Sequence, residues 1–275
     1  MSNMPERLPQ IVEEEIFLFV KELNFNNQPL GRGIFEIVEK DCIVVYYPIL
    51  DAEEKNDGFI LPAVPLRNGE KKSIIFINTF QTEEKQVFVA AHEYGHFLKV
   101  AETINQKCGT NIENEKIVNR FAAELLMPTD TFKTYFIGHL KRTMGENNYI
   151  ELFQLFDAII DAMNYFSVPY NAVVIRLVEV GLIRRVDGIE LVDGSERLPL
   201  EDITNIVEHL IADGDYGVLR TSSHKKDIHG LKEILRLAEK NGTESPVKIE
   251  RLRKAFGIVT AGDDVLEGGI KIAGE

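Results

Sequence analysis

The stretch that decides the reading is Val87-Phe88-Val89-Ala90-Ala91-His92-Glu93-Tyr94-Gly95-His96-Phe97-Leu98. Its apolar flanks are those of a buried helix, and at its centre lies an H-E-x-x-H pattern. Four residues make slightly more than one helical turn, so His92 and His96 share a face and their imidazoles can converge on one ion. Glu93 is rotated off that face by one residue, close enough to reach a water at the ion without having to bind the ion itself. Zinc lowers the pKa of such a water to roughly 7, and the carboxylate can take its proton as a carbonyl is attacked. The competing reading is an exposed helix face carrying two solvated histidines and a glutamate. The apolar flanks oppose it, because two unpartnered histidines in a buried helix are costly.

A catalytic zinc site needs a third protein ligand and an open position. The next helical segment, Glu115-Lys116-Ile117-Val118-Asn119-Arg120-Phe121-Ala122-Ala123-Glu124-Leu125-Leu126-Met127-Pro128, begins with a carboxylate and ends in an apolar half. Its rivals as ligand donors are Glu102, Glu113 and Glu124. Glu102 would have to fold back from the edge of the first helix. Glu113 is taken by a Thr110-x-x-Glu113 capping box, and Glu124 lies beside the packed stripe, free to project to solvent. Glu115 is favoured, because Asn119 follows four residues on along its own face, where an amide can orient a ligand histidine.

Working outward, helical spacing over 7–23 predicts an opening helix. A β-rich stretch follows, with strands expected at Ile34–Val38, Cys42–Tyr47, Gly58–Ile60 and Ser73–Asn78 and a turn at Asn68-Gly69. One helix is expected over Thr82–Val100, with Thr82 as N-cap, and the next ends near Met127, before Pro128. Helices at Ile150–Phe166 and Tyr170–Val180 are broken by Ser167-Val168-Pro169. Further helical patterns lie at Glu201–Ala212, Ile228–Lys240 and Val247–Phe256.

Composition bounds the rest. The chain has 275 residues, 44% hydrophobic and 27% charged, as in a folded globular protein. Its apolar runs fall far short of the roughly 20 residues that a membrane span needs. Acidic residues stand ahead of Ile16–Val20, where a secretory signal wants basic ones, so a cytoplasmic location and no membrane partner are expected. The two cysteines, Cys42 and Cys108, match no zinc knuckle and read as reduced thiols. A formal charge of −13 argues against a polyphosphate-binding surface.

The paired segments His92-Glu93-x-Gly95-His96 and Glu115-x-x-Val118-Asn119-x-Phe121-Ala122-Ala123-x-Leu125-Leu126-Met127-Pro128 closely resemble the ImmA/IrrE family of metallopeptidases. That family's second motif has the form E-x-x-A-N-x-F-A-x-x-L-L-M-P, and this chain departs from it only at Val118. The resemblance implies Zn2+ held by His92, His96 and Glu115, Glu93 as catalytic base, and an α+β fold. The expected architecture is a gluzincin-like minimal zinc metallopeptidase core, a small β-sheet plus active-site helices, followed by a helix-turn-helix-like segment and a C-terminal α/β or mostly helical region. The boundaries expected are 1–134 for the core, 135–187 for the helix-turn-helix-like part and 188–275 for a region of unassigned role. In proteases of this type an edge strand can hold substrate in extended form, a role open to Ser73–Asn78 unless it is internal.

Several residues carry two readings. Tyr94 lines the cleft or packs. Asn119 orients a ligand or is a plain surface amide. His224 and His229 visit the site from the far end of the chain, or are solvated loop and cap residues; Cys108 is a small buried residue or touches the site. The second helix of the helix-turn-helix pattern carries one arginine, Arg176, among many apolar residues, so it reads as packing and DNA binding is not expected. The function these features suggest is a zinc-dependent endopeptidase. The resemblance adds its substrate, a DNA-binding repressor encoded nearby, cut to relieve repression. The alternative is a transcription regulator with a peptidase-like fold that binds DNA through its helix-turn-helix.

Overall fold

In the computed structural model, the described residues are 8–23, 28–49, 57–65, 69, 71–144, 151–183, 188–190, 197–213, 219, 221–242, 245–256 and 258. Asn68 of the expected turn lies outside them. Three β-strands form first, β1 (Ile43–Tyr47), β2 (Gly58–Pro65) and β3 (Lys71–Asn78). Strand β3 runs parallel to β1 with Ile43 opposite Ile74, and antiparallel to β2 with Gly58 opposite Ile77. Val44, Tyr46, Ile75 and Ile77 are buried while Ile43, Val45, Ile74 and Phe76 are less so, the period of two that a one-sided sheet requires. The late strand β6 (Asp227–Ile228) joins the other side of β1, giving the order β2-β3-β1-β6. Ser73–Asn78 is therefore internal, and the substrate-holding role considered for it falls away. The outer strand beside it is β2.

Helix α1 (Gln10–Glu22) buries Val12 and Ile16. The segment expected to be a strand at Ile34–Val38 is helix α2 (Gly33–Asp41). Ile34 and Val38, four residues apart, are both buried, whereas alternation would have buried Glu36 with them. Periodicity outweighs the strand preference of the β-branched side chains here.

Helix α3 (Glu83–Phe97) is wedged between the sheet and its successors. A Cβ on Gly58 would lie 2.4 Å from Val89 Cγ1, so β2 presses on α3 as closely as a backbone can. Lys99, in the left-handed region at φ 54°, then turns the chain into α4 (Val100–Cys108), so the single helix expected over Thr82–Val100 is broken before its end. The Thr110–Glu113 capping box does not form. Asn105 takes its place: its side chain accepts from Thr110 Oγ1 and the Ile112 amide and donates to the Ile112 carbonyl. With Thr110 so engaged, α5 (Asn114–Leu126) starts later, with Glu113 at its N-cap.

Helices α6 (Thr129–Met144) and α7 (Leu152–Phe166) meet through an aromatic group of Phe132, Tyr135, Tyr165 and Phe166. The expected boundary at 134 falls inside α6. Helix α8 (Tyr170–Glu179) ends at Gly181, whose φ is positive. One core cluster runs from Val12 through α3, α5 and α8 to Leu219. Beyond it come β4 (Gly188–Glu190) paired with β5 (Arg197–Pro199), then α9 (Leu200–Asp213), α10 (Leu231–Asn241) and α11 (Pro246–Ala255). Helices α10 and α11 have a small core of their own, Leu231, Leu235 and Ile249. Just ahead of them, the chain returns to the sheet. Glu83 N–H donates to the Thr221 carbonyl, His224 N–H to Thr79, and His229 N–H to Val44. None of the described helices is long and apolar enough to cross a membrane.

A buried ion group fastens α8 to the core. Arg176 is fully buried and donates to Glu124, to the Met127 carbonyl, to Thr129 Oγ1 and to Glu179. Glu124 also takes Arg120, which reaches Glu13 on α1 at 2.6 Å. Glu124 thus does not project to solvent. Burial alone would raise its pKa, but the guanidinium groups of Arg176 and Arg120, with the Thr129 amide and hydroxyl, outweigh that and hold it at about 2. Glu179 goes the other way: burial pushes it up by more than Arg120 and Arg176 pull it down.

A carboxylate held below its ordinary value contributes stability above that value and loses it as pH falls through the lowered one. For Glu124 the window runs from 4.5 down to about 2, and the contribution is roughly 3 kcal/mol. Glu124→Gln is expected to be less stable than the parent chain at pH 7 by about that amount. The gap should shrink towards pH 2, as read from urea midpoints of the two proteins. A gap independent of pH would contradict the assignment.

Candidate metal centre

The sequence places Gly95 on α3 where α5 crosses it. A Cβ there would meet Phe121 Cδ1 at 2.9 Å and Val118 Cγ1 at 3.0 Å, both on fully buried side chains with little room to yield. The two helices touch at this glycine, and side chains beside it and one turn before it come together. His92 Nε2 and His96 Nε2 are 3.1 Å apart. Glu115, at the start of α5, sets one carboxylate oxygen 3.2 Å from His92 Nε2 and the other 3.3 Å from His96 Nε2. The donor atoms of all three residues lie within 4.8 Å of one another, a group that could hold one metal ion.

Asn119 takes the orienting position. Its Oδ1 lies 2.9 Å from His92 Nδ1. A carboxamide oxygen only accepts, so Nδ1 carries the proton and Nε2 keeps its lone pair for the ligand position. Burial, followed by the neighbouring His96, lowers the His92 pKa, against the opposing pull of Glu115 and Asn119. A lowered value favours the neutral imidazole that a metal requires. Two imidazoles and one carboxylate, with exposed Glu115 leaving one side open, fit zinc by donor type and number.

Glu93 is buried beside this group. Burial first, and the charge of Glu115 second, push its carboxyl up to about 7.

The residues with two readings resolve as follows. Tyr94 is buried, donates to Asp41 at 2.9 Å and stacks on Phe97, so it packs and does not line the cleft. His224 lies against Phe80, ahead of α3, and His229 pairs with Glu39 at 3.1 Å; neither belongs to the donor group. Cys108 faces the Ile11 carbonyl on α1. Glu102 and Glu113 are also outside the donor group. Sequence reasoning passed over Phe88 and Ala123, one turn from His92 and Asn119 on the same faces. Both line a cavity beside the site, and the i±4 spacing from the site residues was the signal that could have found them.

A helix-borne histidine pair closed by a carboxylate from a second helix is a donor set found in one class of metallopeptidase. Residues 49–178 match the family model Peptidase_M78, described as the IrrE N-terminal-like domain, a span that runs from the end of β1 into α8 and includes His92, Glu93, His96, Glu115 and Asn119. Over that span, a little under half of its length, the chain is similar to the ImmA/IrrE peptidases. No curated protein matches the chain.

Removing the Asn119 oxygen frees the His92 ring and its tautomer. Asn119→Ala is expected to weaken zinc binding about ten- to hundredfold with the fold intact, measured by competition with a chromophoric chelator. Unchanged affinity would remove Asn119 from this role.

Proposed function

We propose that this chain is a zinc-dependent endopeptidase that cuts a cytoplasmic DNA-binding regulator at one or a few sites and so relieves repression. The observation that carries the peptidase reading is the convergence of His92, His96 and Glu115 with Glu93 buried next to them. When bound there, zinc supplies Lewis acidity towards water and the substrate carbonyl. The protein supplies the rest. Asn119 holds the His92 ring in one tautomer, and Glu93 accepts a proton from the attacking water and can return it to the leaving amine. Strand β2 lies against α3 at Gly58 and is outermost in its sheet among the described residues, so an extended peptide can add to it as a further strand.

The choice of a repressor as substrate rests on the family resemblance. The charge of −13 supports it modestly, since a basic DNA-binding protein would be attracted, though only within about 8 Å at physiological salt. The transcription-regulator reading is weakened by Arg176. A reading helix needs its cation in the major groove, and this one is enclosed by Glu124, Met127, Thr129 and Glu179.

Glu93→Gln should bind zinc as the parent does while its cleavage rate falls at least ~100-fold. The test mixes the zinc-loaded chain with the regulator encoded beside it and follows fragments by mass spectrometry. A discrete cut, abolished by chelator and by Glu93→Gln, is the expected result. Cleavage by the variant at the parent rate would overturn the role of Glu93. Ready digestion of unfolded casein with no cut in the regulator would point to a general degradative protease.

A further inference from the structure

A cavity of about 270 Å³ opens beside the metal-ligating group, between α3, α5 and α8. Asn119 belongs to both: it lines the cavity and holds His92. Phe88 precedes His92 by one turn, and Ala123 follows Asn119 by one turn, so the cavity lies one turn along both helices from the metal donors and adjoins them through Asn119. Its far wall is α8, through Ala172, Ile175 and Val178. Of the charged groups that reach it, Arg120, Glu13 and Glu179 are engaged with one another, and Lys116 pairs with Glu113 at 3.9 Å. Arg120 pairs with Glu13 at 2.6 Å and with Glu179 at 3.5 Å. What remains to meet a guest is mostly carbon. Pockets for whole small molecules span roughly 300–1,000 Å³; this one is smaller, and fits a single large side chain.

The geometry points to this cavity as the pocket that receives a large apolar side chain next to the scissile bond of the peptide substrate, with Ala123 and Ala172 setting its depth. The inference rests on the peptidase reading, since it places a substrate carbonyl at the His92–His96–Glu115 group. From there an extended chain directs an adjoining side chain along the groove past Asn119. Both alanines are nearly buried in the wall, so a larger residue at either position fills the space from inside. The helix that resembles a DNA reader thereby becomes the wall that selects substrate.

The test needs no knowledge of the natural substrate and no turnover. Two peptide hydroxamates, identical except for an isobutyl or a methyl side chain beside the chelating group, are titrated calorimetrically into the zinc-loaded full chain. The isobutyl compound should bind about tenfold tighter or better, the return on burying its extra carbons. In Ala172→Phe, and independently in Ala123→Leu, that ratio should fall to about one while the methyl compound keeps its affinity. Equal affinities in the parent chain, or a ratio unchanged in both variants, would overturn the pocket and leave the peptidase reading standing. Failure of both hydroxamates to bind the zinc-loaded parent would remove the peptidase reading and the pocket with it.

Discussion

The candidate site depends on one close contact, that of α3 and α5 at Gly95. A helix pair separated by ordinary side chains keeps its axes about 8–10 Å apart. Here one partner contributes only a hydrogen, and the Phe121 ring and the Val118 methyl occupy the space a side chain would need. That approach lets a carboxylate from the first turn of α5 reach between two imidazoles on α3, and Asn119 reach the back of His92. The same α3 is pressed from its other side by β2, where Gly58 again leaves no room for a Cβ. The helix is held between two glycine contacts, and the exposed side of the site stays open to substrate.

A second constraint orders the surroundings. Burying Arg176, Arg120 and Glu124 takes charges out of water, and that cost is offset only if nearly every donor and acceptor is met. The groups that meet them come from α1, α5, the turn into α6, and α8. The arrangement therefore fixes where α8 lies relative to α5. Its position forms one wall of the cavity next to the metal group, and an electrostatic requirement of folding becomes a determinant of the space available to substrate.

Much of the site was legible in the sequence because its information is local. His92, Glu93 and His96 fall within five consecutive residues, and Asn119 follows Glu115 at the spacing of a shared face. The misreadings concern interactions between distant segments or competition among short-range signals. Glu124 reads as a surface carboxylate until Arg176, far along the chain, is seen to reach it. Thr110 reads as a helix cap until Asn105 is seen to occupy its hydroxyl. Ile34–Val38 is rich in strand-preferring residues, yet its burial repeats at four and not two. Strand β3 looked available as an edge because the pairing of β1 and β2 on either side of it has no local signature.

The most direct test of the central claim is anomalous diffraction from crystals of the zinc-loaded chain, recorded on both sides of the zinc absorption edge. The account predicts one strong peak per chain, bounded by the Nε2 atoms of His92 and His96 and the carboxylate of Glu115. A peak elsewhere, or one at the two histidines with Glu115 turned away from it, would contradict the account.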